Sequence, residues 1–290
     1  MTASHISGID HIVVGVKSLA EAVDTYARLG FALTPYGRHD GMGTGNHCIM
    51  MPRDYLELVA VSPEQADSEL RRRLRKSLEA TGNGVMAVAL ATNDGAAVHA
   101  ALARKGVKVD PPQAVYRSIE TKSGVVRAAL SMVRLPEDAL VGLSAFVAQH
   151  LSPDAVRRPG WMDHPNGAVG IDSLTIVVED PLAAKTAYEE FFGAGATVVT
   201  DSTVAVHFGD QTIVLCSPDQ LTQLHPDCEL ECPDLKPPRP VAIGLAVRDI
   251  EETARVLTAN RVPFCLSKEG LIRVPPSETL GILIEFSEAA

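Results

Sequence analysis

Gly8-Ile9-Asp10-His11-Ile12-Val13-Val14-Gly15-Val16, followed directly by Lys17-Ser18-Leu19-Ala20-Glu21-Ala22-Val23-Asp24-Thr25-Tyr26-Ala27-Arg28-Leu29-Gly30-Phe31, is the stretch from which the fold is read. Its opening is short, β-branched and mostly apolar, the composition of a buried strand. The continuation places Leu19, Ala22, Val23, Tyr26 and Leu29 at helical intervals and closes on Gly30, where a helix C′ glycine belongs. His11 interrupts the strand. The strand–helix pattern returns at 88–107, 171–192 and 242–254, and no copy has a histidine where His11 stands.

Each copy carries an N-cap signal just after its strand: Ser18, Asp94, Asp180 and Asp249. Behind each helix stand three short strand candidates. They fall at 31–36, 48–51 and 55–61; at 115–121, 125–134 and 143–150; at 197–200, 203–208 and 212–216; and at 264–267, 271–274 and 282–286. Turn signals such as Lys122-Ser123-Gly124 and Gly209-Asp210 separate them. The chain thus reads as an α+β protein of four βαβββ modules. Connectors at 62–84, 152–167 and 217–240 join the copies, the last one rich in proline and acid.

The chain has 290 residues, a formal net charge of −10 and 46% hydrophobic residues, the profile of a globular protein. The acidic balance argues against nucleic acid or an anionic membrane as partner. The basic run Arg71-Arg72-Arg73-Leu74-Arg75-Lys76 reads as a solvated helix face. No apolar run approaches the roughly 18 residues of a membrane span, and the N-terminus lacks the pattern of a signal peptide. The five scattered cysteines point to reduced thiols and a cytoplasmic location. Cys228 and Cys232 lie close together with no second ligand pair and read as a plain loop.

Asp10-His11-Ile12-Val13-Val14, Gly37-Arg38-His39, Gly43-Thr44-Gly45-Asn46 and Tyr55-Leu56-Glu57-Leu58-Val59 resemble the vicinal oxygen chelate superfamily, in its glyoxalase-like branch. The tail Gly281-Ile282-Leu283-Ile284-Glu285-Phe286 is similar to a terminal strand of that superfamily. The resemblance implies paired modules whose mixed sheets curl into two cups, and glyoxalase-like domains at 1–151 and 168–290 of two modules each. It also implies a divalent metal (Zn, Ni, Mn or Fe) held by residues of the first and last strands of paired modules.

Alternation gives a separate handle on the site. His11, Glu57 and Glu285 each stand opposite a strongly apolar strand face, so all three are expected to point into a cup. A carboxylate in an apolar strand is costly unless paired or metal-bound. Aligning the copies matches His11 with Ala87, Ser173 and Ala242, and Glu57 with Gln149, Ile213 and Glu285. Pairing modules one and two collects His11, Glu57 and Gln149, with His150 beside them. Pairing one and four collects His11, Glu57 and Glu285. Short connectors favour neighbours, and the second scheme has the better ligand set. Arg38, His39, Asn46, His47 and His150 are candidate substrate contacts, with His39, Asn46 and His47 placed on a Gly-rich loop over the cup. Arg38 or Arg127 could pair with Glu57 in a buried ion pair, and His164 reads as a turn residue.

The leading expectation is a metal-dependent isomerase or lyase acting on a small oxygenated metabolite, with Glu57 as general base. A non-catalytic drug-binding protein is the alternative, weakened by an aromatic content of 4%. An extradiol-type dioxygenase would want histidines where Ser173 and Ala242 stand. The pattern leaves a homodimer open.

Overall fold

In the computed structural model, which describes residues 5–63, 66–226 and 236–289, the strand signals resolve into two eight-stranded sheets. The first is a closed barrel of β1 (Gly8–Gly15), β2 (Gly37–His39), β3 (Thr44–Met50), β4 (Tyr55–Val61), β5 (Gly84–Ala91), β6 (Gln113–Thr121), β7 (Gly124–Arg134) and β8 (Ala145–His150). Its order is β1-β4-β3-β2-β6-β7-β8-β5. The pairs β1–β4 and β5–β8 are parallel, and β1–β5 is antiparallel.

The second sheet holds β9 (Ala168–Val177), β10 (Thr197–Thr200), β11 (Thr203–Phe208), β12 (Gln211–Cys216), β13 (Arg239–Val247), β14 (Cys265–Leu266), β15 (Ile272–Val274) and β16 (Leu283–Glu288). It is curled, in the order β10-β11-β12-β9-β13-β16-β15-β14. The first half of the chain therefore closes on itself, and Glu285, on β16, belongs to the other sheet.

The helices α1 (Leu19–Arg28), α3 (Gly95–Arg104), α5 (Pro181–Phe192) and α7 (Ile250–Ala259) begin where the caps were expected. The side chains of Ser18, Asp94, Asp180 and Asp249 accept hydrogen bonds from the backbone N–H of Glu21, Ala97, Ala183, and both Glu251 and Glu252. The convex sheet faces and these helices share one apolar core; Ile12, Tyr26, Val98, Leu174, Tyr188, Leu257 and Phe286 are all in it. Buried Asp54 and Gln211 stitch the sheets together. Gln211 Oε1 accepts from Ile9 N–H, its Nε2 donates to Asp54, and Asp54 accepts from Ile171 N–H. Among the described residues no helix is long and apolar enough to cross a membrane. Cys228 and Cys232 lie outside the described residues.

Two expected strands differ. Residues 31–36 form no strand, because only Thr34 N–H reaches β3, at the Cys48 carbonyl, and Pro35 has no N–H to offer a ladder. Conversely, β2 and an extended β3 occupy the expected loop, so His39, Asn46 and His47 lie on strands. The expected charged helix is α2 (Glu69–Thr81); it buries Leu74 against Val13 and Val59 beside the barrel.

The remaining α-helices are α4 (Pro153–Val156) and α6 (Pro218–Leu224), and α6 lays Leu221 and Leu224 on Val177, Cys216, Ala242 and Leu283 of the second sheet. Among the described residues, Leu221, Leu224 and the Arg273–Glu285–His225 group pack on that face. The barrel interior is different: it retains a cavity of about 130 Å³, the scale at which an apolar protein cavity of roughly 150 Å³ holds benzene.

Candidate active site

The cavity's polar centre begins with an irregularity in β1. Ile9 pairs with Leu90 and His11 with Ala89, which makes Asp10 the extra residue of a β-bulge. A bulge suspends strict alternation, and neighbouring side chains meet: His11 Nδ1 lies 2.6 Å from Asp10 Oδ1. His150 approaches Asp10 from β8, with Nε2 3.0 Å from Oδ2. Burial raises the Asp10 carboxyl, but the hydrogen bonds and charges of His11 and His150 outweigh it and hold Asp10 well below the usual carboxylate range. An ionised Asp10 accepts from both imidazoles. With Nδ1–H given to Asp10, Nε2 is the His11 ring nitrogen that faces the cavity.

His11 Nε2 points toward Glu57, 3.7 Å from Oε2. The His11 ring is stacked on Tyr55 at 4.3 Å between centroids and meets Phe146 edge-on at 5.5 Å. On its other side Glu57 receives Asn46 Nδ2 and, at 3.1 Å, His39 Nε2, while Thr44 Oγ1 lies 2.9 Å from His39 Nδ1. Arg117 completes the group. Its Nη1 is 3.9 Å from Glu57 Oε1 and 2.6 Å from the Cys48 sulfur. Burial pushes Glu57 up, yet His39, His11 and Arg117 together hold it at about 2. Burial dominates at Cys48 and pushes that thiol up to about 12, so it is a neutral core group behind Arg117.

Of the expected contacts, His11, His39, Glu57 and His150 line the cavity, and Asn46 sits just behind Glu57. Arg38 is exposed beside His39, and His47 turns to the outer face, 2.8 Å from the Thr34 carbonyl. Gln149 is committed elsewhere: it accepts from Gly95 N–H at the start of α3 and donates to the Asn93 carbonyl. The register explains the slip. Glu57 is paired with Val13, and the residue paired with Ala89 across β5–β8 is Phe146, three positions before Gln149. Glu285 binds Arg273 Nε at 2.6 Å and lies 3.4 Å from His225 Nδ1, under α6. Arg127 pairs with Asp40, at 3.1 Å, rather than with Glu57. His164 does lie in a turn, and its buried ring also accepts from Ala32 N–H and donates to the Met50 carbonyl.

The residues present do not fit a resident divalent ion. Protein metal sites draw on three or four ligands; here only His11 and Glu57 of the expected four converge, and the Arg117 cation already faces the same carboxylate. Among the described residues no group of three or more His, Cys, Asp or Glu is arranged to hold a metal.

The profile of the family described as "Glyoxalase-like domain" matches residues 9–192, which contain all of the barrel but Gly8. The chain belongs to the glyoxalase-like domain family. With it comes membership of the vicinal oxygen chelate superfamily. No curated protein sequence matches this chain. Among solved structures, a hypothetical protein from Staphylococcus aureus is similar at 13% identity and a TM-score of 0.68, over 97% of this chain and 99% of that one. A triple mutant of 4-hydroxymandelate synthase from Streptomyces coelicolor is similar at 14% identity and a TM-score of 0.59, over 98% of this chain and 93% of that one. A xylose isomerase-like TIM barrel/4-hydroxyphenylpyruvate dioxygenase fusion protein is similar at 15% identity and a TM-score of 0.59, over 98% of this chain and 49% of that one. At such identities the likeness concerns the fold.

Proposed function

We propose that this glyoxalase-like chain is an enzyme that moves a proton on a small oxygenated metabolite, in an isomerase- or lyase-type reaction. The proposal takes each sheet as a pair of βαβββ modules and places the reaction in the barrel. The observation that carries it is the Asp10–His11 pair, whose free Nε2 faces Glu57 inside a cavity that Arg117 also lines.

His11 is the base. Glu57, the expected base, is held near pH 2 and is ionised but weakly basic. The C–H bond next to a substrate carbonyl breaks, its proton goes to His11 Nε2, and its electron pair moves onto the carbonyl oxygen beside Arg117. Asp10 and Glu57, one at each ring nitrogen, stabilise the imidazolium that forms. Return of the proton to the neighbouring carbon gives the isomer; loss of a β-substituent gives the elimination product. Ser173 and Ala242, where a dioxygenase would want ligands, are on β9 and β13 of the other sheet.

The test is proton exchange in D2O with a panel of α-hydroxyaldehydes, α-hydroxyketones and β-hydroxyacids, followed by proton NMR. Loss of the α-proton signal is expected in the parent protein and not in His11→Ala. Binding of panel members without exchange would leave a small-molecule binding protein instead. Retention of one equivalent of Zn, Ni, Mn or Fe through dialysis, lost in His11→Ala, would overturn the metal-free form of the proposal.

A further inference from the structure

The cavity has two polar ends. Glu57 and Arg117 mark one. The other lies up β7: Arg117 pairs with Ala128, and inward-facing Leu130, Met132 and Arg134 follow at two-residue steps. Six residues of strand span roughly 20 Å, or on the order of 15 Å along a barrel axis from which strands tilt by about 40°. At that far end Arg134 is joined by Arg73 of α2, which donates from Nη2 to Ser144 Oγ at 2.9 Å. The wall between the ends is apolar: Val13, Val59, Met86, Leu130 and Met132.

The two mouth guanidinium groups are only loosely engaged. Arg73 and Arg134 each stand 3.8 Å from Glu69, and Arg73 is 3.5 Å from Glu137, with both glutamates mostly exposed. Such pairs contribute little. The arginines line the cavity and the glutamates do not. A cationic mouth, a flexible methionine-containing apolar sleeve and an inner acid–base group describe a ligand with matching parts.

Building on the proposed proton-transfer site, we propose that the substrate class is an amphipathic carboxylic acid of medium length. Its carboxylate sits between Arg73 and Arg134, its apolar segment lies along the methionine-lined wall, and its oxygenated carbon reaches His11. Two cations across the mouth recognise the carboxylate by charge-assisted hydrogen bonds, and the apolar sleeve favours members of the class that carry an apolar segment over those that carry none.

The test is calorimetric titration of the whole chain with hexanoate, octanoate and decanoate against the corresponding primary alcohols. Parent, Arg73→Gln/Arg134→Gln and His11→Ala proteins are compared. Both arginines are partly exposed, so the double variant keeps the fold, which circular dichroism checks. Carboxylates are expected to bind at least about tenfold tighter than alcohols in the parent, and the double variant to lose that advantage while alcohol binding stays unchanged. His11→Ala is expected to keep it, so a failure of proton exchange alone would sink the reaction and leave the substrate class standing. Equal affinity for acids and alcohols, or an unaltered acid preference in the double variant, would overturn the inference, the latter by placing the carboxylate at Arg117 instead.

Discussion

Asp10 shows how much of this site depends on a single side chain. It makes no contact with the cavity itself, yet it decides which nitrogen of His11 is free. Replacing it by Asn keeps the volume and removes the charge that both His11 and His150 address. Asp10→Asn is expected to lower the exchange rate by up to about 10⁴-fold, the scale seen when the carboxylate behind a general-base histidine is replaced by Asn, with an unchanged far-ultraviolet spectrum. Steady-state rates across pH check it, since a positioning role alters the profile as well as the amplitude. His11 and Glu57 were legible in the sequence because each is a polar residue opposite an apolar strand face. Asp10 was not: alternation assigns it to the opposite face, and only the bulge brings it round. Arg117 was also missed, although Val115, Arg117 and Ile119 share a face on which the guanidinium is the odd member.

At the scale of elements, the strands with clean alternation were read close to their true bounds, and β10 and β11 fall on the expected residues. β2 was hidden by its shortness and its glycine, and the Gln149 assignment failed because register between distant strands is set by pairing, which local pattern does not encode. The basic run was correctly a helix, but its one leucine matters more than its charges. Leu74 is fully buried against Val13 and Val59 and touches the place where a Gly15 side chain would be. Leu74→Ala is expected to cost about 2–5 kcal/mol, the range for buried leucine truncation, read as a lower urea midpoint. The cavity wall on α2 loosens with it, so exchange of α2 amides with deuterium should rise more than that of β9.

Over the whole molecule, the joint between the sheets is a buried carboxylate with no cation in its hydrogen bonds. Burial raises Asp54 to about 7, against the Ile171 N–H and the Arg53 charge, which lower it. The folded state therefore holds a proton that the unfolded chain has already released above pH 4. Stability falls as pH rises from about 4 to about 7, by roughly 4 kcal/mol at most, and is flat beyond. Urea midpoints of the parent at pH 5 and 8 are expected to differ in that sense after comparison with Asp54→Asn, whose own pH dependence should be shallower. An equal slope in both proteins would assign the effect elsewhere.

The helix that fills the second sheet fixes a stoichiometry. Two sheets of eight strands would suggest two ligands per chain, but Leu221 and Leu224 occupy one concave face and Glu285 is spent on Arg273 beneath them. A saturating titration is expected to end at one molecule per chain. Loss of Glu285 should then show in the melting temperature while leaving that end-point where it was, the behaviour expected of a half that props the barrel and takes up no ligand of its own.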